Sequence, residues 1–429
     1  IDLARDIPMF ADTLSRFVQG EPDALLLTEF AEDEQDENLR RLEQLDELMS
    51  DLGLRNSVFK TGDAALQKDI WEVRKSGLNI MMSMKADRKP VSFIEDCAVP
   101  LEHLADYTER LTSVFEKHGT SGTWYAHASV GCLHVRPVLN LKLDQDVKTM
   151  RAIAEEAFAM VKEYKGAHSG EHGDGLVRSE FHETMYGRKT VEIFEAIKDR
   201  FDPTGVMNPG KIVRPSKMDD RSLLRYKPSY KVTGLKTALD WSAYTGAGGG
   251  FQGAVEMCNN NGACRKLDGG VMCPSFRVSR NERDVTRGRA NTLRLAISGQ
   301  LGDGALDSDE MVETMKLCVS CKACRRECPT GVDMAKMKIE VLNAVHARHG
   351  PSLRDRLVGY LPRYARWAAR LAPLVNLRNG SSLLARLTER MTGFAAARAL
   401  PKWRGDTFKQ AGPHADHSQA PVPERNGTG

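Results

Sequence analysis

The sequence predicts an α+β fold: a ferredoxin-like α/β sandwich, then an all-α module around clustered cysteines, then a basic helical extension. Three observations carry this reading. Over residues 1–215, strand and helix patterns follow in the order strand, helix, strand, strand, helix. Seven of the nine cysteines fall between Cys258 and Cys328. Residues 348–409 hold thirteen Arg/Lys against Asp355, Glu389 and Asp406.

Each element follows from its local pattern. Residues 24–30 (ALLLTEF) form a compact apolar run of strand length. Residues 38–53 place Leu39, Leu42, Leu45, Leu48 and Leu52 at helical spacing. Residues 91–99 read as a strand ended by Pro100. Residues 101–118 read as a helix with Leu104, Tyr107, Leu111 and Phe115 on one face. Two strands around a break at 129–131 account for residues 124–141, and a second long helix for 146–164. A short helix at 190–200 stops at Asp202-Pro203-Thr204-Gly205. Residues 216–250 read as a linker whose Gly-rich end lacks the Lys-Ser/Thr of a phosphate loop, hence as a hinge. Residues 251–349 hold the cysteines within short helices, and 350–410 are helical and basic. The tail at 411–429 is polar and proline-containing and is predicted to be disordered.

The chain has 429 residues, 41% apolar and 28% charged, enough for two to four domains and too apolar for wholesale disorder. Its net charge of +3 hides an acidic stretch at 29–51, with ten acids against Arg40 and Arg41, and the basic far end. No apolar run approaches the roughly 18 residues of a membrane span. The start at Ile1 is neither an initiator Met nor a signal peptide, and it reads as a fragment or processed product. Cysteines this crowded in so long a chain point to metal or cluster ligation in a reducing, cytoplasmic compartment rather than to disulfides.

The run Cys318-Val-Ser-Cys321-Lys-Ala-Cys324-Arg-Arg-Glu-Cys328-Pro329 fits C-x2-C-x2-C-x3-C-P in full. In that spacing three thiolates grip one iron–sulfur cube and the fourth reaches a second. A zinc ribbon would instead need two separate C-x2-C knuckles, and a zinc-stabilised module would be colourless. Upstream, Cys258 and Cys264 match the outer positions of a second triple whose middle position is Asn261, followed by Cys273-Pro274. If the two Cys-Pro cysteines cross over, Cys318, Cys321, Cys324 and Cys273 make a complete [4Fe–4S] set. Cys258, Cys264 and Cys328 are then left for a [3Fe–4S] cluster, or a [4Fe–4S] cluster with one non-cysteine ligand. Neighbouring clusters of this kind relay single electrons. Cys97 and Cys132 lie in strand-like segments and read as small buried side chains.

A second group is His127-Ala-Ser-Val-Gly131-Cys-Leu-His134 with Gly170-Glu171-His172-Gly173. Two histidines and a glutamate beside glycines suit a divalent metal with an open position, although core or surface histidines give the same spacing.

These motifs, with Trp71-Glu-Val-Arg74 and Asp202-Pro-x-Gly205-x2-Asn208-Pro-Gly-Lys211, resemble the C-terminal half of FAD-linked oxidases. That group includes D-2-hydroxyglutarate and D-lactate dehydrogenases and the flavin-linked part of glycolate oxidase. The cysteine region resembles the iron–sulfur module fused to that half in large bacterial members, and the likeness covers roughly residues 10–345. The resemblance implies a flavin enzyme that oxidises a D-2-hydroxy acid, with electrons leaving through the clusters to a quinone or a carrier protein. It implies His127, His134 and Glu171 as ligands of a Zn- or Mn-type ion and His172 as the base. Arg74 would bind the substrate carboxylate, and Asn208 and Lys211 would approach the FAD. Arg136 stands where a substrate-contacting Asn is common, and offers a second cation for a dicarboxylate. The family's FAD pyrophosphate-binding domain has no counterpart in residues 1–20, so the chain is expected to be an internal piece of a longer polypeptide or a subunit that borrows that domain. The alternative is a non-catalytic electron-transfer subunit that keeps a decayed oxidase half.

In residues 353–375, Leu357, Tyr360, Leu361, Tyr364, Trp367 and Leu371 interleave with Arg354, Arg356, Arg363, Arg366 and Arg370, and Pro362 should divide the helix. Packing on the cluster module is one reading and peripheral contact with the inner face of a membrane is the other. No nucleic-acid motif accompanies the stripe.

Overall fold

The computed structural model describes residues 1–246 and 248–406, so the expected disorder at 411–429 and Ala247 of the Gly-rich run lie outside the described residues. The described chain divides into a unit over Ile1–Ala344 and a second over Val345–Gly429.

The core of the first unit forms where two amphipathic helices meet. Asp144–Glu163 buries Val147, Met150, Ile153, Ala154, Ala157, Phe158 and Val161, a face repeating every three to four residues. It packs on Leu104–Lys117, which buries Tyr107, Leu111, Val114 and Phe115. Beneath them lie two short antiparallel three-stranded sheets. In one, β1 (Lys89–Pro90) and β3 (Gly122–Thr123) flank β6 (Arg136–Leu139), with Lys89 opposite Leu139 and Thr123 opposite Arg136. In the other, β2 (Cys97–Ala98) and β4 (Ala126–His127) flank β5 (Cys132–Leu133). Of the single strand expected over 91–99 only Cys97–Ala98 forms; residues 91–96 are irregular, and Asp96 takes a left-handed φ of 77°. The break expected at 129–131 is a 3-10 turn over Ala128–Val130 closed by Gly131 at φ 66°. A Cβ on Gly131 would lie 2.0 Å from the Val99 carbonyl oxygen, so only glycine fits.

The helices expected at 38–53 and 190–200 are present as Gln35–Asp51 and Arg188–Phe201. The strand expected at 24–30 is not: the segment is irregular and exposes Leu25, Leu26 and Leu27, because no neighbouring edge pairs with its backbone.

The cysteine region is helical, as its composition predicts, with Gly250–Glu256, Pro274–Ser279, Thr286–Ile297, Asp309–Lys316, Ala323–Glu327 and Met334–His349. Within the expected linker, upstream of its Gly-rich end, residues 238–241 are anchored. The buried Glu340 carboxylate accepts the Ala238 and Leu239 N–H groups, both at 2.9 Å, and the Trp241 Nε1–H at 2.8 Å. Lys142 and Glu256, both buried, form an ion pair of 2.5 Å between the α+β layer and the cysteine helices.

The second unit contains Leu353–Gly359, Leu361–Arg370, Ala372–Gly380 and Ser382–Thr392. Pro362 lies in the first turn of its helix, where its missing N–H is harmless, so it divides the stripe as expected. Among the described residues no helix is long and apolar enough to cross a membrane.

Candidate functional site

The second sheet delivers the histidines. His127 ends β4, His134 directly follows β5, and Asp96 directly precedes β2. Ala98 pairs with Ala167, and the Gly170 N–H donates to the Asp96 carbonyl at 2.6 Å, which lays the 167–172 loop along β2. A Cβ on Gly170 would lie 3.0 Å from Cys132 Sγ and 3.2 Å from the Asp96 carbonyl oxygen, so glycine permits the close approach.

Three imidazoles converge on one carboxylate oxygen. Glu171 Oε1 lies 2.8 Å from His134 Nε2, 3.3 Å from His172 Nε2 and 3.5 Å from His127 Nε2. His134 stacks on His172 at 4.8 Å and meets His127 edge-on at 5.2 Å. His134 is 1% exposed and its Nδ1 has no hydrogen-bond partner. Burial, together with the neighbouring His172, holds the His134 ring below the usual imidazole pKa and favours its neutral form. His127, Glu171 and His172 are solvent-exposed. Imidazole nitrogens around a carboxylate, open on one side, fit a divalent cation with a free position.

Asp96 belongs to the same cluster: one ligand atom from each of Asp96, His134, Glu171 and His172 lies within 4.8 Å of the others. Its oxygens are already engaged. They accept the His172 N–H at 2.8 Å, the Glu171 N–H at 2.9 Å, the Ser169 hydroxyl at 3.1 Å and the Cys132 thiol at 3.4 Å. Burial pushes Asp96 up, but the His172 and Glu171 N–H groups outweigh it and hold the carboxyl below its usual pKa. Asp96 therefore anchors the loop that carries Glu171 and His172. His172 Nδ1 faces the Glu95 and Asp96 carboxylates, each at 4.0 Å. Neither acid stands out in the sequence by motif. The available signal is two adjacent acids inside an apolar stretch, which can be buried only where donors await them.

Arg74, on Ala64–Lys75, donates to the Ala126 carbonyl at 3.1 Å and lies 5.1 Å over the Tyr125 ring, which itself packs on His134 at 4.8 Å. Arg136 faces inward. It is buried and paired with the Glu95 carboxylate, so the expectation of a cation free for substrate is corrected by the acid next to Asp96. Asn208, at φ 45°, and Lys211 lie in an exposed turn braced by Asp202, whose carboxylate accepts the Met207 N–H at 2.9 Å and the Val206 N–H at 3.0 Å.

The cysteines gather into two sets. Cys273, Cys318, Cys321 and Cys324 line one cavity of about 330 Å³ including its open mouth. Arg289, fully buried, lines it too: its guanidinium lies 3.1 Å from Ser275 Oγ and 3.8 Å from Cys273 Sγ. Burial pushes Cys273 up, but hydrogen bonds from Ser275 and Thr286 and the Arg289 charge bring it below the usual thiol pKa. Cys258 and Cys264 both feel the charge of Cys328, and burial pushes Cys264 up to about 11. The four thiols around one cavity are the four cysteines of the complete expected set. Asn261 is occupied locally: its Oδ1 accepts the Ala263 N–H at 2.9 Å and its Nδ2 donates to Asn259 at 2.6 Å. Cys97 and Cys132 are buried in the α+β layer, and burial pushes each up to about 12.

Residues 5–212 match the family model of FAD linked oxidases, C-terminal domain, and residues 254–332 match that of a 4Fe-4S dicluster domain. The chain is 30% identical to the D-2-hydroxyglutarate dehydrogenase of Escherichia coli (strain K12), over 76% of this chain and 34% of that protein. It is 29% identical to the Haemophilus influenzae enzyme of the same name, over 76% and 34%. A D-lactate dehydrogenase of Archaeoglobus fulgidus is 31% identical over 30% of this chain and 28% of its own length. The chain spans about a third of the length of the D-2-hydroxyglutarate dehydrogenases it matches.

Proposed function

We propose that this chain supplies the substrate site and the electron exit of an FAD-linked D-2-hydroxy acid dehydrogenase acting on a D-2-hydroxyglutarate- or D-lactate-type acid. The observation that supports it best is the convergence of His127, His134 and His172 on Glu171 Oε1. When bound, the divalent ion would lower the pKa of the substrate hydroxyl, FAD would accept hydride, and the clusters would pass electrons singly.

This chain's own residues do the rest. His127, His134 and Glu171 hold the ion. Asp96 fixes the backbone on which Glu171 and His172 sit. His172 is the base that takes the hydroxyl proton. Arg74 at the rim is the cation for the substrate carboxylate. Asn208 and Lys211 meet FAD held by a partner domain or subunit. Cys273, Cys318, Cys321 and Cys324 hold a [4Fe–4S] cluster. Cys258, Cys264 and Cys328 hold a second cluster, and its electrons go to a quinone or carrier protein. The test is flavin bleaching by D-2-hydroxyglutarate and D-lactate in the chain supplemented with an FAD-binding domain. Bleaching that His172→Ala abolishes is expected. Absence of bleaching with an intact cluster spectrum would instead support an electron-transfer subunit with a decayed oxidase half.

One observation favours a peripheral membrane contact. The second unit exposes Trp367, Leu371, Leu374 and Val375 beside Arg363, Arg366 and Arg370. Flotation with anionic liposomes that Trp367→Glu/Leu374→Glu abolishes is the expected result; no flotation of the unaltered chain would end the idea.

A further inference from the structure

A second group of metal-capable side chains lies outside the centre described above. His168 Nε2 is 3.4 Å from Asp174 Oδ1, and His182 Nε2 is 2.9 Å from Asp174 Oδ2. One ligand atom from each of the three residues lies within 4.8 Å of the others. His168 is 0% exposed and His182 2%, and neither Nε2 has a hydrogen-bond partner in good geometry. Phe158 and Tyr186 wall the His168 ring, and Phe194 the His182 ring.

The tautomer of His182 is set by its other nitrogen. Nδ1 lies 3.1 Å from the Ile212 carbonyl, which can only accept, so Nδ1 carries the proton. In the neutral ring Nε2 is then a bare lone pair facing a carboxylate oxygen. Two imidazole nitrogens and a carboxylate aimed into one space, with the buried Arg178 as the neighbouring charge, repel one another unless a proton or a metal cation lies between them. A ligating histidine that donates its second N–H to a backbone carbonyl is also the usual outer arrangement of a metal site. With metal–ligand distances of about 2.0–2.2 Å, a tetrahedral ion spaces its ligand atoms by roughly 3.3 Å, close to the separations here. Asp174 is the one partly exposed member and gives a path of entry.

We propose that His168, Asp174 and His182 bind a divalent cation of the zinc class, a site separate from the His127/His134/Glu171 centre. The cation ties the far end of the 170–175 loop to the helix His182–Tyr186, while Asp96 ties the near end to β2. It is a structural ion, and the proposal stands whether or not the first centre turns over a hydroxy acid.

The test uses the full chain with its clusters in place and Zn²⁺ as the probe. A His127→Ala/Glu171→Gln variant removes the first centre. Elemental analysis after chelation, reloading and desalting should still find one zinc per chain, and Zn²⁺ should raise its melting temperature. Adding Asp174→Asn should abolish both effects, with the cluster absorption unchanged as the check on folding. X-ray absorption on the zinc retained by the double variant gives a reading that does not depend on the third substitution, with two imidazoles expected in the first coordination sphere. No zinc in the double variant, zinc that persists after Asp174→Asn, or a sulfur-rich coordination sphere would overturn the proposal.

Discussion

Asp96 holds His172 by its backbone. Asp96 Oδ2 accepts the His172 N–H at 2.8 Å, and the imidazole of His172 stays on the solvent side of the histidine centre. The acid is buried and the base is open, so one residue can fix the other without blocking its access to a ligand.

Removing the Asp96 charge should therefore weaken the site without touching a proposed ligand. Asp96→Asn keeps the size but loses an acceptor for two backbone N–H groups. Divalent-ion affinity at the histidine centre should fall by roughly 10–100-fold, as for other supporting residues around metals. Calorimetric titration with Mn²⁺ or Zn²⁺ reads it directly.

The same residue makes stability depend on pH. Its carboxyl pKa is lower in the fold than the ordinary value of about 3.9. The stabilisation it gives is thus fully present above that ordinary value and is lost as pH falls through the lower folded value. Urea midpoints of the unaltered chain and of Asp96→Asn should differ at about pH 6 and converge only as the pH falls below the ordinary carboxylate range.

Gly131→Ala should be disruptive. Its backbone is left-handed, and the new Cβ would lie 2.0 Å from the Val99 carbonyl oxygen. A loss of roughly 2 kcal/mol or more is expected in denaturant melts, because β2 and β5 must shift apart to admit it.

Arg289 lies against the four-cysteine cavity as a buried cation. A positive charge there favours the more reduced, more negative cluster, so its removal makes reduction harder. Arg289→Gln should lower the midpoint potential by on the order of 60 mV, about tenfold in a one-electron equilibrium. Redox titration followed by EPR measures it, and Arg289→Lys should recover part of the shift.

Much of this is legible in the residues. The helices around Leu111 and Phe158 announce themselves by spacing, and the crossed cysteine sets by Cys-Pro positions. The site histidines are visible through their glycines. What escapes is set by pairing across the chain. Residues 24–30 look like a strand, yet strand character needs an edge to bond with. Arg136 looks free in the sequence because Glu95, its partner, is 41 positions away and adjacent only in the fold. Asp96 carries no motif because it acts on backbone N–H groups. The linker before Cys258 looks unanchored because Glu340, which holds residues 238–241, comes about a hundred residues later.

The Lys142–Glu256 pair keys the joint between the α+β layer and the cysteine helices of the first unit. An apolar seam can slide, since one greasy contact replaces another. A seam with a single buried ion pair cannot, because any slip strands two charges away from water at several kcal/mol each. Lys142→Met alone should therefore cost about 3–5 kcal/mol. The two halves are built to one gauge, and Glu256 stands two residues before Cys258, so that gauge also sets how far Cys258 stands from the α+β layer.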